Sequence, residues 1–389
     1  MISGPQIGEL LSEAREAWAL DAASLAARAG LDAETVDEAL RGDVDVSDLD
    51  AIVRALGGTI DDLLAGRRFW VAPSVAFKSA PGEFESALVR SALLRVASAA
   101  RDRAALTALL SLPDPPLRTA SELSPIAPTE DVAGQAEELA RAVRSHLGNE
   151  RDPILSVRDA MRTLGVWTFV TDFGVSTVDG MLWRDAEGRS CAVANSQARG
   201  AKLSALRMTF AHELCHALFD GTRSEVYGLV ESRSERGEIH ERRANAFAAH
   251  LLAPRVSVLA FLRERGLSDA ERPTAADVRA LSDHFQMGVE AMAGHLVSCR
   301  RWERADMHRF RDLWTRDAIG PDNRECHPND LEARVPLERR GEVMALATVA
   351  LERGAISVGR WRELLDLDGS GDWRGLLDEG IDVEHRSAS

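Results

Sequence analysis

The run MTFAHELCHALFDG, residues 208–221, constrains the fold of this chain more than any other stretch. His212 and His216 stand four residues apart, and residues at that spacing lie on one face of an α-helix. Apolar neighbours such as Phe210 favour a buried helix. Both imidazoles can then point at one metal ion, and the carboxylate of Glu213 can reach a water on that ion without binding the metal itself. This is the H-E-x-x-H zinc arrangement. The alternative is two histidines on an ordinary helix.

A catalytic zinc site needs a third protein ligand and one open position. Glu241 lies 25 residues after His216, in the helix-forming run HERRANAFAAHLLAP. The small side chain of Ala248 on the same face would let the two helices approach closely, which makes Glu241 the preferred ligand. His250 is half a turn away and should point elsewhere. The rival ligands are other titratable residues of this stretch: Glu235, Glu238 and His240.

Composition argues against several classes of protein. The chain has 389 residues, a net charge of −15 and a pI of about 5.2. Strong nonspecific binding to nucleic acid is disfavoured, because it depends on Lys and Arg neutralising phosphates. No apolar run is long enough for a membrane span, and no signal peptide is recognisable. The four scattered cysteines are typical of reduced thiols, so we expect a cytoplasmic protein.

Patterns along the chain predict an α+β protein that is mostly helical. Residues 1–68 predict five short helices, and residues 69–133 predict a helical connector followed by a Pro-rich linker. Residues 134–255 predict helices, a small β-sheet whose strands precede the HELCH helix, and a second long helix. Residues 256–389 predict a C-terminal helical domain.

The N-terminal segment resembles the helix-turn-helix domains of the XRE family in three stretches, LAARAGL, TVDEALRG and ALGGTIDDLL. The first helix of the pair is predicted to end at Gly30, and the second to begin after an N-cap at Asp32. The resemblance implies that this second helix, extending to Leu40, would enter the major groove of DNA. Residues 1–68 carry 14 acidic and 6 basic side chains, a net charge of −8, which repels phosphates. Protein–protein contact or dimerisation is therefore favoured over operator binding, and the DNA-binding residues are unknown.

Two linked motifs further along resemble the ImmA/IrrE family of zinc-dependent metallopeptidases. The family pattern has a D-G turn, a strand ending in Asn, then F-T-x-A-H-E-x-x-H and E-x-x-A-N-x-F-A-x-x-L-L-x-P. The matching positions are Asp179, Gly180, Asn195, Thr209, Ala211, His212, Glu213, His216, Glu241, Ala244, Asn245, Phe247, Ala248, Leu251, Leu252 and Pro254. Met208 replaces the usual Phe before Thr209, a departure that touches no predicted ligand. Many members also carry an XRE domain at the N-terminus.

The resemblance implies a zincin-like domain that holds Zn²⁺ through three ligands, namely His212, His216 and Glu241. The ion would polarise the scissile carbonyl and activate water, and Glu213 would take the proton and pass it to the leaving amine. Tyr227 is a candidate oxyanion donor, with an ordinary loop tyrosine as the alternative. Asp220 is a candidate partner that orients a ligand histidine, with a plain helix-end carboxylate as the alternative. Cys215 is interpreted as a packing residue.

The resemblance also implies what the enzyme would act on. The expected substrate is a protein, such as an XRE-type repressor encoded nearby, and its cleavage would regulate transcription or a stress response. The competing hypothesis is a DNA-binding regulator or interaction module in which the zinc domain is a sensor. No membrane partner is expected. The oligomeric state is open, with a homodimer considered.

Overall fold

The structure, a computed structural model, is mostly helical and contains one five-stranded β-sheet, which confirms the α+β prediction. It describes the following residues: 3–18, 20–66, 74–75, 87–118, 120–123, 131–175, 178–184, 188–198, 203–220, 227–232, 239–267, 273–300 and 334–367. Much of the predicted linker and part of the predicted C-terminal domain lie outside these residues, and the division into four segments stays a prediction. Within the described ranges no single helix is long and apolar enough to cross a membrane.

The N-terminal segment forms the five short helices that its sequence predicts. They are α1 (Gly4–Ala17), α2 (Ala22–Ala29), α3 (Ala33–Leu40), α4 (Val46–Ala55) and α5 (Ile60–Leu64). Gly30 ends α2 with a left-handed φ of 68°, a conformation that costs glycine little. Asp32 caps α3, since its side chain accepts a hydrogen bond from the backbone N–H of Thr35 at 2.8 Å. Both predicted helix boundaries are confirmed.

The five N-terminal helices share a hydrophobic core with later parts of the chain. The later elements are α6 (Ala87–Leu109), a 3₁₀ helix (Leu337–Arg339), α15 (Glu342–Glu352) and α16 (Val358–Leu364). Arg28 on α2 donates to the Ala55 carbonyl at 3.3 Å and to Ser91 Oγ on α6 at 3.1 Å. Arg54 forms an ion pair with Glu363 on α16. The N-terminal helices are therefore tied to the rest of the fold by apolar packing and by polar contacts.

The sheet has the strand order β1-β5-β3-β4-β2. The strands are β1 (Ser74–Val75), β2 (Val166–Thr171), β3 (Val178–Arg184), β4 (Ser190–Asn195) and β5 (Tyr227–Ser232). β3 lies antiparallel to both β4 and β5, whereas β2 pairs with β4, and β1 with β5, in parallel. Among the described side chains, those of β2 and β4 are buried throughout. Strands β2 and β4 are thus covered on both faces.

The sequence-based position of the sheet was wrong for two strands, since β1 lies in the segment predicted as a connector and β5 lies after the HELCH helix. The prediction placed all strands before the HELCH helix, but β5 follows that helix and pairs with β3. The segment YGLVES has only two adjacent aliphatic residues, with glycine and polar residues around them, so its local pattern resembles a loop. Pairing with β3 supplies the backbone hydrogen bonds that make it a strand, and that pairing is a tertiary interaction.

A second hydrophobic core surrounds the helices on the other side of the sheet. These helices are α7 (Ala120–Leu123), α8 (Val132–His146), α9 (Val157–Thr163), α10 (Leu203–Phe219), α11 (Ile239–Leu252), α12 (Arg255–Glu264), α13 (Ala275–Phe285) and α14 (Val289–Arg300). α10 lies between the sheet and α11, and α11 packs in turn on α8 and α14. The two motif helices are therefore buried neighbours, and the core continues past residue 255 into α14.

The side chain of Asn195, at the end of β4, organises the loop that leads into β3. Its Nδ2 donates to the carbonyl of Val175 at 2.6 Å and to that of Val178 at 2.7 Å. Its Oδ1 accepts from the backbone N–H of Phe173 at 3.4 Å and from that of Gln197 at 3.1 Å. Asn195 is fully buried, and two of these bonds, to the Phe173 N–H and to the Val178 carbonyl, satisfy backbone groups of buried residues.

We expect Asn195→Ala to lower the free energy of unfolding by about 3 kcal/mol, because it leaves buried carbonyl and N–H groups without partners. Urea unfolding followed by circular dichroism measures the change. Gln197→Ala is the matched control, since that exposed side chain makes one contact with Asp172 at 3.3 Å and its loss should be nearly neutral. Equal stability of wild type and Asn195→Ala would contradict this account of the loop.

Candidate metal centre

The helix α10 carries the two motif histidines on its buried side. Every residue from Thr209 to Leu218 on this helix is buried, because the sheet covers one side and α11 the other. His212 and His216 are 2% and 3% exposed, and their rings meet edge to face with centroids 4.7 Å apart. The two Nε2 atoms are 2.9 Å apart. Both rings therefore present the same nitrogen to one point.

The carboxylate of Glu241 reaches that point from α11. Glu241 Oε2 lies 3.1 Å from His212 Nε2, and Oε1 lies 3.3 Å from His216 Nε2. Ala244 and Ala248, one and two turns further along α11, are completely buried. Their small side chains allow close packing of α11 on α10 and so bring the carboxylate to the imidazoles.

Among the residues that the structure describes, these three form the group of His, Cys, Asp or Glu side chains that could hold a metal ion. Their donor atoms lie within 4.8 Å of one another. Ligands about 2.0–2.1 Å from a tetrahedral Zn²⁺ stand about 3.3 Å apart. The observed separations of 2.9, 3.1 and 3.3 Å are close to that value. Two imidazoles and one carboxylate are thus arranged as a donor set that fits such an ion.

The surroundings of His216 favour its protonated, positively charged form. Burial alone would lower the pKa of His216, but hydrogen bonds to Asp220 and Glu241 outweigh burial and raise that pKa to about 10. Burial would likewise raise the pKa of Glu241, but its hydrogen bonds to His212 and His216 hold the pKa well below the usual range. Carboxylates therefore concentrate negative charge beside His216, and a bound cation would offset that charge.

Glu213 follows the first histidine and lies against strand β3. Its side chain is 1% exposed. A Cβ added to Gly180 on β3 would stand 2.3 Å from Thr209 Cγ2 and 3.4 Å from Glu213 Oε1. Glycine at this position therefore leaves the space in which α10 approaches the sheet with the Glu213 carboxylate in between. The negative charge of Glu213 is one of the causes that raise the pKa of His216, so the carboxylate is close to the candidate metal centre.

Asp220 stands directly after the end of α10 and contacts His216. Its Oδ2 is 2.7 Å from His216 Nδ1, the ring nitrogen that faces away from the centre. Its Oδ1 accepts from Arg243 at 2.6 Å and lies 3.3 Å from His240 Nδ1. The sequence reasoning missed Arg243. Its only local signal was its position three residues after His240, which puts both on one face of α11.

The other predicted candidates lie further from the centre. The side chain of His240 is 54% exposed and belongs to the surroundings of Asp220. Tyr227 begins strand β5 rather than lying in a loop, and the structure describes its backbone but not its side chain. Cys215 is buried, and burial raises the pKa of its thiol far above the ordinary value. The rival ligands Glu235 and Glu238 lie outside the described residues.

His250 points away from the candidate metal centre into a second buried cluster. Its ring meets that of His295 edge to face with centroids 4.6 Å apart. Within the described ranges, His250 Nδ1 has no hydrogen-bond partner, whereas His295 Nε2 contacts the Ala253 carbonyl at 2.6 Å. Burial lowers the pKa of His250 to about 4 and that of His295 to about 3. Both imidazoles are therefore neutral in the folded protein near neutral pH.

Comparison with known proteins bears on the same region. The family model Peptidase_M78, described as the IrrE N-terminal-like domain, matches residues 161–296. The match runs from α9 into α14 and includes the two histidines, Glu213 and Glu241. It supports the resemblance to the ImmA/IrrE family for this part of the chain and suggests a metallopeptidase-like function. The comparisons with curated proteins and with solved structures gave no significant match.

We expect Glu241→Gln to abolish stoichiometric binding of a divalent metal, because it removes the carboxylate that completes the donor set. Metal content after dialysis, measured by mass spectrometry, tests this. His240→Asn on the same helix is the control and should retain the metal, since His240 is not part of the group. The reverse result, with metal lost only from His240→Asn, would identify the rival ligand.

The buried histidine pair predicts acid sensitivity. In the unfolded chain a histidine binds a proton below its ordinary pKa of 6.5, whereas folded His250 binds one only below a pKa of about 4. The unfolded state is therefore favoured as the pH falls from 6.5 towards 4, and the free energy of unfolding decreases. When the pH is lowered from about 7.5 to about 5, we expect the free energy of unfolding of wild type to decrease by about 2 kcal/mol more than that of His250→Leu. Urea unfolding at both pH values gives the difference. His146→Leu, at an exposed site on α8, should behave as wild type.

Proposed function

We propose that the protein is a zinc-dependent metallopeptidase that acts as a regulator by cleaving another protein. The observation that carries this proposal is the meeting of two imidazoles and a carboxylate at one point, with the buried Glu213 beside them. A purely structural metal site has no use for such a carboxylate. The match of this region to a peptidase family model supports the same conclusion.

Zn²⁺ is the ion that the donor set favours. His₂Glu is a typical ligand set for catalytic zinc, and three protein ligands leave one position open. When bound, zinc supplies Lewis acidity, which polarises a peptide carbonyl and makes water more acidic. His216 is positioned for this role because Asp220 occupies its Nδ1 and leaves Nε2 directed at the centre.

Glu213 is proposed as the general base. The carboxylate is next to a ligand histidine in sequence, but the structure places it towards β3 rather than in the three-residue donor set. It can therefore accept a proton from an attacking water and donate it to the leaving amine. Tyr227 remains a candidate oxyanion donor on its position in the sequence alone, since the β5 residue that pairs with Met181 next to Gly180 is Val230.

The substrate is proposed to be a protein, such as an XRE-type transcriptional repressor encoded nearby, within the cytoplasm. This rests on the resemblance to the ImmA/IrrE family, and so do the proposed roles in transcription and stress response. The five N-terminal helices are proposed to be an XRE-like module for protein contact or dimerisation. Coexpression with a repressor from the adjacent gene, followed by mass spectrometry of the fragments, tests the proposed substrate.

Charge makes DNA binding by the N-terminal module the less favoured hypothesis. Asp32, Glu34, Asp37 and Glu38 are all exposed on α3 and at its N-terminus. Arg28 on the preceding helix is directed inward to the Ala55 carbonyl and to α6. The face that would approach phosphates therefore carries negative charge and lacks a cation at this position. A gel shift on neighbouring operator DNA at stated salt tests the alternative.

We expect Glu213→Gln to lower the kcat for peptide cleavage by about 10²–10⁴-fold while metal content stays at the wild-type level. The amide keeps the size of the side chain but cannot accept the proton. Cleavage of the repressor by wild type and variant, followed by gel densitometry, measures the effect. Glu290→Gln, at an exposed position on α14, is the control and should cut normally. Equal cleavage by wild type and Glu213→Gln would rule out the proposed mechanism.

A further inference from the structure

We propose that Arg243 is a positioning residue of the metal centre. Its guanidinium holds the carboxylate of Asp220 in the orientation in which Asp220 accepts the Nδ1–H of His216. The inference rests on the proposed function in one respect only, namely that His216 binds a metal ion through Nε2.

The first observation is that α11 uses two neighbouring faces. One face, with Glu241, Ala244 and Ala248, lies against the histidines. The other face carries Arg243 and Phe247 and lies against the C-terminal end of α10. There the ring of Phe247 meets that of Phe219 at a centroid distance of 6.1 Å. The helix α11 thus supplies the carboxylate of Glu241 from one face. From the neighbouring face it supplies the Arg243 cation, which contacts Asp220, the hydrogen-bond partner of His216.

The second observation is how the oxygens of Asp220 are divided. Oδ2 is 2.7 Å from His216 Nδ1, and Oδ1 is 2.6 Å from a terminal nitrogen of Arg243. A carboxylate held at both oxygens by different partners cannot rotate without breaking one of the two contacts. The contact with Arg243 therefore fixes the direction in which Oδ2 faces His216, and so the direction of Nε2.

The third observation is the position of Asp220 in its helix. It follows the last residue of α10, where the helix dipole disfavours a negative charge. A cation beside it offsets this cost. Arg243 is the better-placed cation, since its side chain is 12% exposed, whereas that of His240 is 54% exposed and lies at a longer distance from the carboxylate.

A plain structural role for Arg243 is the alternative that a test must separate. Its guanidinium also lies 5.5 Å from the centroid of the Phe219 ring and contacts the thiol of Cys215. These contacts would join α10 to α11 with or without any effect on a metal. Loss of the side chain could therefore lower stability for reasons unrelated to His216.

The test compares zinc affinities of full-length folded variants by competition with a chromogenic chelator. We expect Arg243→Met to weaken zinc binding about 10- to 100-fold, the range typical of lost partners of metal ligands. Arg243→Lys, which keeps the cation, should restore affinity to within about threefold. Arg242→Met, at the adjacent exposed arginine, is the control and should match wild type. Wild-type affinity in Arg243→Met, with only its thermal stability lowered, would overturn the proposal.

A double-mutant cycle shows whether Arg243 acts through Asp220. If it does, Arg243→Met should weaken zinc binding little further once Asp220→Asn is present. Additive losses of affinity would mean that Arg243 acts by another route and would overturn the inference. If Arg243→Met does not fold, Arg243→Gln takes its place in the cycle.

Histidine nitrogen spectra of the zinc-loaded protein supply a readout besides affinity. The His216 Nδ1–H proton should exchange slowly with water in wild type and in Arg243→Lys, and rapidly in Arg243→Met. Slow exchange in all three would overturn the inference. These measurements do not depend on peptide cleavage. If wild type binds zinc but cuts no protein, the proposed function is wrong, whereas the zinc affinities and exchange rates still test the role of Arg243.

Discussion

The candidate site depends on one packing contact, the close approach of α11 to α10. The two histidines lie on a single helix, so their proximity needs only helical geometry. Glu241 can join them only if a second helix comes within side-chain reach, and the small, fully buried Ala244 and Ala248 permit this. The outer layers of the fold, α8 and α14 on one side and the sheet on the other, hold this helix pair in place.

The second constraint on the candidate site is the pairing of ionisable side chains between α10 and α11. Ionisable groups at α10 and α11 meet in opposite-sign contacts, between His212 and Glu241, His216 and Asp220, and Arg243 and Asp220. Buried charges are costly unless they are paired, so this arrangement indicates a function rather than added stability. The pair His250 and His295 shows the contrast. These imidazoles are also buried, but the hydrogen bonds that the described residues give them include none to a carboxylate, so burial keeps them neutral.

The N-terminal helices have a different relation to the site. Their core is continuous with α6 and the C-terminal helices, and the outer face of the sheet contributes to it through Trp167 and Trp183. The candidate centre lies with the other core, on the opposite face of the same sheet. A partner bound at the N-terminal helices would therefore contact a part of the fold that shares the sheet with the candidate metal centre but includes none of its three residues.

The sequence by itself determined the local features of this protein. Helical periodicity and capping residues defined the N-terminal helices, and the H-E-x-x-H spacing put two imidazoles on one face, because both are governed by contacts within a few residues. The helix face that Glu241 shares with Ala248 also favoured Glu241 as the third ligand, and the structure places its carboxylate next to the two histidines. The sequence also offered Asp220, four residues after His216, as a partner of a ligand histidine, and the structure shows that contact. Only the tertiary structure decided that YGLVES is a strand and that Arg243 contacts Asp220. These depend on pairing and packing between segments far apart in the chain, and local sequence patterns do not encode such distances.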